Sequence, residues 1–183
     1  KLEAHNKKLL DLASKDPLTG LDNRRVFNRS LETELDRIVR YDQGFSLLIV
    51  DVDYFKRVND THGHPAGDAV LQELATRMQR AMRDADLVAR LGGEEFAILL
   101  TNTTADQAHR VADKIRGAIE SHPVPYQDQS IGLTISGGIA QFGPDGGDLR
   151  SLIGRADQYL YHAKDSGRNR IISSDSALVP CQA

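Results

Sequence analysis

The sequence predicts an α+β domain: a ferredoxin-like β-α-β-β-α-β core with an antiparallel central sheet and extra elements at both ends. Three observations carry this prediction. The unbroken apolar run from Phe45 to Val50 suits a strand buried on both faces. Leu87 to Arg90 and Glu95 to Leu100 are short strand-like runs on either side of Gly92-Gly93, the pattern of a hairpin. The segments between these strands repeat their apolar residues at helical spacing.

The order of elements follows along the chain. Residues 1–14 carry Leu2, Leu9, Leu10 and Leu12 among polar neighbours. This reads either as an ordinary surface helix or as the end of a signalling helix entering from an upstream domain. Asp16-Pro17-Leu18-Thr19-Gly20-Leu21 interrupts it. A helix is expected from Asn23 to Val39, with Val26, Phe27, Leu31, Leu35 and Ile38 on one face. After the first strand comes a loop rich in Gly and His, then a helix from Ala66 to Met82. The hairpin follows, then a helix from Ala105 to Ser121 that Pro123 and Pro125 end. Ile131 to Phe142 is expected as one strand, Leu149 to Asp165 as a helix, and Arg170 to Ile172 as a last short strand. The helices should pack against one face of the sheet. The expected organisation is a linker helix over 1–14, one domain over 15–173 and a disordered tail over 174–183.

Composition excludes several function classes. Of 183 residues, 40% are hydrophobic and 27% charged, ordinary for a globular chain, and the formal net charge is −3. That acidic balance argues against a surface built to coat nucleic acid. Cys181 is the one cysteine, so no intrachain disulfide forms and no oxidising compartment is needed. No apolar run approaches the ~20 residues of a membrane span. The expectation is a cytoplasmic domain cut from a longer parent, with membrane anchoring of that parent left open. Phosphate loops of the Gly-x4-Gly-Lys-Ser/Thr type, Gly-x-Gly-x-x-Gly, His-Glu-x-x-His and cysteine pairs are absent from the sequence.

Two acidic clusters remain. Asp51 and Asp53 end the first strand, and Glu94 and Glu95 follow Gly92-Gly93 at the hairpin turn. If the hairpin lies beside the first strand, these carboxylates converge at one edge of the sheet. Unpaired, they would repel one another. A hard divalent cation resolves this, and oxygen-only ligands select Mg²⁺ or Mn²⁺. Gly92 and Gly93 would let a ligand come close to the backbone. His62 and His64 form a His-x-His pair with no third soft ligand near in sequence, so they are not read as a metal site.

Arg90-Leu-Gly-Gly-Glu-Glu-Phe96 resembles the signature of the GGDEF family, the diguanylate cyclases, in its GGEEF form. Four further stretches agree with the family's motifs. Asp16-x-Leu18-Thr19-Gly20-Leu21-x-Asn23-Arg24-Arg25 resembles its opening motif, and Asp51-Val-Asp-Tyr-Phe-Lys-Arg-Val-Asn-Asp60 its first-strand motif. Gly63-His-Pro-Ala-Gly-Asp68 comes next, and Ala156-Asp-x-x-Leu160-Tyr161-x-Ala163-Lys164 with Gly167-Arg168-Asn169 closes the set. The likeness covers Asp16 to Ile172.

The resemblance implies a nucleotidyl cyclase or polymerase-palm-like fold. It also implies condensation of two GTP into cyclic di-GMP with release of two pyrophosphates, by attack of a 3′-hydroxyl on an α-phosphate. Two Mg²⁺ (or Mn²⁺) per site would be held by Asp51, the Val52 carbonyl and Glu94, with Asp53 as a supporting carboxylate. Glu95 matches a further residue the family needs, and which of Glu94 and Glu95 takes the proton stays open. Asn59 and Asp68 match the guanine-reading positions, and His64 would organise that loop. Lys164 and Arg168 match triphosphate-binding cations. Lys56 and the backbone amides of Phe55 and Lys56 would assist at a helix start.

Arg83-x-x-Asp86 matches the family's inhibitory product site. Lys114 stands where members carry a second Arg, and Arg110 or Arg116 could substitute for it. The expected partners are GTP, cyclic di-GMP as product and inhibitor, a second copy of the chain, and an upstream sensory domain. The competing reading from a different class is a binding module that senses cyclic di-GMP through Arg83 and Asp86. A pure receptor leaves the acidic clusters without a use.

Overall fold

The computed structural model describes residues 14–41 and 44–174. The linker helix expected over 1–14 and the tail expected over 174–183 lie, apart from their innermost residues, outside the described residues. Thirteen elements are described: β1 (Asp22–Asn23), α1 (Arg24–Tyr41), β2 (Phe45–Val52), α2 (Phe55–His62), α3 (His64–Ala81), β3 (Leu87–Gly92), β4 (Glu95–Thr101), α4 (Ala105–Ser121), β5 (Val124–Tyr126), β6 (Gln129–Ile131), β7 (Ile135–Gln141), α5 (Leu149–Asp165) and β8 (Ile171–Ile172). Among them no helix is long and apolar enough to cross a membrane.

The main sheet has the order β1-β3-β4-β2-β7-β8. Its four central strands are antiparallel and carry the ferredoxin-like arrangement. The short edge strands β1 and β8 add on in parallel. The hairpin β3–β4 therefore does lie beside β2.

The sheet is covered on both faces, not one. The apolar run of β2 splits by parity. Leu48, Val50 and Val52 enter one core with α3 and α4, through residues such as Leu71, Leu74, Met78, Ile115 and Ile119. Phe45, Leu47 and Ile49 enter a second core with Phe27 and Leu31 of α1 and Leu152, Ala156 and Leu160 of α5. The two crossover helices occupy the expected face. The helices added at either end cover the other, because a strand apolar at every position needs cover on both sides.

Two other expectations change. The Gly- and His-rich loop expected before the Ala66–Met82 helix is almost wholly helical: α2 continues from its expected start at Phe55 to His62, and α3 already begins at His64, with only Gly63 (φ 90°) between them. The strand expected over 131–142 is broken. Residues up to Ile131 pair back on β5 around Gln127 (φ 51°), and β7 starts only at Ile135. The break has a use, since the Thr134 carbonyl accepts the Asp53 amide at 2.9 Å.

Local signals set the helix starts. Thr104 and Gln107 form a reciprocal capping box on α4, and Asp148 accepts from the Ser151 amide at the start of α5. Helix α5 sits very close to β7. A methyl group on Gly138 would lie 2.1 Å from the Ala156 carbonyl oxygen and 2.4 Å from the Leu160 amide nitrogen. Only glycine permits that approach.

Candidate active site

Strand β2 runs on beyond its unbroken apolar stretch, Phe45 to Val50, and delivers Asp51 to the sheet edge. The β2–β4 register sets Asp51 directly opposite Glu95. Such pairs project from the same face, here the face covered by α1 and α5. Glu94 sits in the turn, where its carbonyl accepts the Val52 amide at 3.3 Å. The turn itself needs glycine: Gly92 and Gly93 have φ of 139° and 53°.

Lys164, in the last turn of α5, places its Nζ 3.1 Å from Asp51 Oδ1. Asp51, Val52, Asp53, Phe55, Lys56, Glu94, Lys164 and Arg168 line one cleft of about 200 Å³, together with Tyr54. Burial pushes the Asp51 carboxyl above its ordinary range. Lys164 opposes this, and the charges of Glu94 and Asp53 add to it. Glu95 is pushed up by burial and by the charge of Asp157, against Arg24 and Lys164.

Asp53 has a different surrounding from Asp51. It is 4% exposed. Its Oδ1 accepts from Ser136 Oγ at 2.7 Å, and its Oδ2 from Thr134 Oγ1 at 2.7 Å and from the Asn169 amide at 3.0 Å. The expected supporting metal carboxylate is thus occupied by protein donors and ties β2, β7 and the 167–169 turn together.

The donor set fits a hard cation of a particular kind. No imidazole or thiol lines the cleft. Among the described residues no three acidic, His or Cys side chains could alone hold a metal. Two carboxylates and a carbonyl would have to share the ion with water and phosphate oxygens. That is the habit of Mg²⁺, which is seldom caged by protein alone.

Asn59, Asp68 and His64 lie outside this cleft. Asn59 of α2 packs against α3 so tightly that a methyl on Gly67 would lie 1.8 Å from its Oδ1. Asp68 is the next residue, exposed just past the first turn of α3, and His64 is exposed at its start. His62 Nδ1 lies 2.6 Å from Gln129 Oε1, a hydrogen-bond partner on β6.

A second cavity of about 460 Å³ is lined by Arg83 and Asp86 with Lys15, Asp22, Gln79 and neighbours. Asp86 fixes its loop, accepting from the Arg83 and Thr101 amides at 3.2 Å each. The assisting cations expected from α4 are not there. Lys114 lines a separate groove with Arg77, Arg80 and Val111, and Arg110 is paired with Asp106 at 2.6 Å. Arg116 is committed to Asp113, Glu120 and Asn169.

The sequence profile described as "Diguanylate cyclase, GGDEF domain" matches residues 13–170. The chain belongs to the GGDEF family. It is similar to diguanylate cyclase A of Treponema denticola, 38% identical over 95% of this chain and 48% of that protein. It is also similar to the response regulator PleD of Caulobacter vibrioides, 39% identical over 89% of this chain and 36% of that one. The chain therefore spans about half, or less, of these relatives. Among solved structures, the coiled coil and GGDEF domain of DgcB from Caulobacter crescentus, in complex with c-di-GMP, superposes with a TM-score of 0.83. It is 30% identical over 94% of this chain and 92% of that one.

Within this GGDEF chain, sequence reasoning missed several residues of the site. Asp157 and Arg24 act on Glu95 from α5 and α1. Arg90 and Arg24 strap the hairpin turn. Arg90 donates to the Gly93 carbonyl at 2.7 and 3.0 Å and to Asp16 Oδ1 at 3.1 Å, and Arg24 to the Leu91 carbonyl at 3.0 Å. Burial pushes Asp16 up, but hydrogen bonds from Thr19 and Arg90 outweigh it and hold the carboxyl below its usual range. Arg90, Asp16 and Arg24 all stand inside the quoted motifs, so the signal was present without a task attached to it.

Proposed function

We propose that this chain is a diguanylate cyclase domain that condenses two GTP into cyclic di-GMP and two pyrophosphates. One observation carries this reading. Two carboxylates suited to a hard cation, Asp51 and Glu94, share a cleft with three cations suited to a triphosphate: Lys56, Lys164 and Arg168. Two divalent ions, Mg²⁺ or Mn²⁺, held by Asp51, the Val52 carbonyl and Glu94 would neutralise phosphate charge and acidify the attacking 3′-hydroxyl.

The protein groups divide the remaining work. Lys164 and Arg168 orient the triphosphate, and the amides opening α2 at Phe55 and Lys56 face its oxygens. Asp68 accepts from guanine N1–H and the 2-amino group, a pair of donors adenine lacks, and Asn59 completes the reading. Glu95, its carboxyl raised by burial, suits the role of proton acceptor better than a fully solvated acid.

One chain carries one set of these residues, while the product has two equivalent 3′–5′ bonds. Two copies facing each other across a two-fold axis satisfy that count. Arg83 and Asp86 would bind the product as an inhibitor, and residues 1–14 would connect the domain to an upstream sensor in a cytoplasmic setting. The test is product analysis after incubation with GTP and Mg²⁺, beside Asp51→Ala and Glu94→Ala. Cyclic di-GMP from the parent and none from the variants is expected. No product at high protein concentration, together with tight cyclic di-GMP binding lost in Arg83→Ala, would replace this reading with that of a receptor.

A further inference from the structure

The turn after α5 is strained and strongly held. Gly167, Arg168 and Asn169 have φ of 112°, 62° and 47° in succession. Two non-glycine residues in the left-handed region persist only when their surroundings over-determine them. The Arg168 amide donates to the Ala163 carbonyl at 2.9 Å, and the Asn169 amide to Asp53 at 3.0 Å. The Asn169 side chain is bonded to Glu120 and Arg116 at 2.8 and 2.9 Å. The turn so held presents the Arg168 side chain toward the cleft.

Its guanidinium is held in an unusual way. Its central carbon lies 4.5 Å from the centroid of the Tyr54 ring, and Nη1 lies 3.3 Å from the Tyr54 hydroxyl oxygen. Among the described residues no carboxylate pairs with it. Tyr54 is itself left-handed (φ 55°) and 59% exposed, so its ring is not there to fill a core. The neighbouring cation differs, since Lys164 rests on Asp51.

We infer that Tyr54 is a positioning residue for the triphosphate: a neutral aromatic shelf that fixes Arg168 over the cleft without cancelling its charge. An acid in the same place would hold the arginine as firmly and spend its attraction for phosphate. An aliphatic residue would leave the charge but not its position. The inference rests on the reading of Arg168 as a triphosphate ligand.

The test uses inorganic tripolyphosphate with Mg²⁺, titrated calorimetrically into the full chain, beside steady-state kinetics with GTP. Tyr54→Leu should weaken tripolyphosphate binding about 3- to 10-fold, the span a cation–π contact of this kind supplies. The effect should fall on KM more than on kcat. Tyr54→Phe should keep most of the affinity. Tyr54→Glu should lose at least as much as Tyr54→Leu, although it can still grip Arg168. In an Arg168→Ala background, Tyr54→Leu should add nothing. Equal losses from Tyr54→Leu with and without Arg168 would overturn the shelf, and so would full affinity in Tyr54→Glu. If Arg168→Ala itself leaves tripolyphosphate binding intact, the triphosphate reading falls and the shelf falls with it.

Discussion

The cleft at the end of β2 and the cavity beside Arg83 are both lined by charged groups, yet they are held in opposite ways. At β2, Asp51 grips Lys164, Asp53 accepts three hydrogen bonds, Arg168 leans on Tyr54, and Arg90 and Arg24 strap the turn beside Glu94. In the other cavity Asp86 is fixed by backbone amides and Lys15 pairs with Asp22 at 2.8 Å, but the arginine is left unheld. Arg83 is exposed, and among the described residues no acid pairs with its guanidinium. The difference suits the two roles proposed above. A reacting centre gains from groups already in place when charge develops. A regulatory site can leave its arginine to be ordered by the ligand, at some cost in affinity.

The contrast is sharpest where a held group is removed. Asp51→Asn or Glu94→Gln should lower cyclic di-GMP formation at least about 100-fold, beyond the usual cost of losing an outer partner of a metal ligand. Circular dichroism should show an intact fold, and activity within tenfold of the parent would contradict the assignment. Asp53→Ala should cost about 2–4 kcal/mol in urea unfolding, since it strands the buried Ser136 hydroxyl, the half-buried Thr134 hydroxyl and the Asn169 amide. A loss below about 1 kcal/mol would mean that Asp53 is not the tie described above.

Gly67→Ala comes next. Helix propensity alone would make it stabilising by up to about 1 kcal/mol, but the added methyl must displace Asn59. A several-fold rise in KM for GTP is expected, and an unchanged KM would separate Asn59 from nucleotide binding. Arg83→Ala should weaken product inhibition about tenfold or more, while its unfolding free energy moves by less than about 0.5 kcal/mol, as for an exposed and unheld side chain.

The smallest effect is a pH dependence. The folded-state values of Asp51 and Glu95 are raised, chiefly by burial. Their contribution to stability is therefore fully present below the ordinary carboxylate range and is lost as pH rises through the raised values. Without metal, Asp51→Asn should melt higher than the parent at neutral pH. The gap should close on acidification, and Mg²⁺ with nucleotide should reverse it. A parent that melts higher than Asp51→Asn at neutral pH without metal would show that the Lys164 pair outweighs burial.

Much of this arrangement was legible from local pattern. Phe45–Val50 announced a strand buried on both faces, and Gly92-Gly93 announced a turn. Acids placed just beyond both pointed to one sheet edge. The same run also held the information that both faces need cover, since its odd and even positions are equally apolar. That parity was not carried through to the placement of α1 and α5. Asp157 and Arg24 both stand inside the motifs, but their convergence on Glu95 was out of reach for a different reason. They meet Glu95 only because two helices from opposite ends of the chain pack on the same face, and no spacing in the sequence records that. The break between Ile131 and Ile135 was hidden by β-branched residues on either side. Its cause is a distant one, the demand of Asp53 for Thr134. Tyr54 carried no assigned role inside the first-strand motif, because the Arg168 guanidinium reaches its ring from 114 residues away.

Gly138 sets a tolerance. Strand β7 pairs Gly138 with Ile49 of β2, two residues short of Asp51, while α5 rests on Gly138 and carries Lys164 in its last turn. The spacing between the acid and the lysine is thus gauged through one bare Cα, as a shim of zero thickness gauges two machined parts. Any side chain inserted there would tilt or lift the helix by an amount comparable to a bond length and open the 3.1 Å gap at its far end. A position that touches neither phosphate nor metal would then be as intolerant of change as the carboxylates themselves.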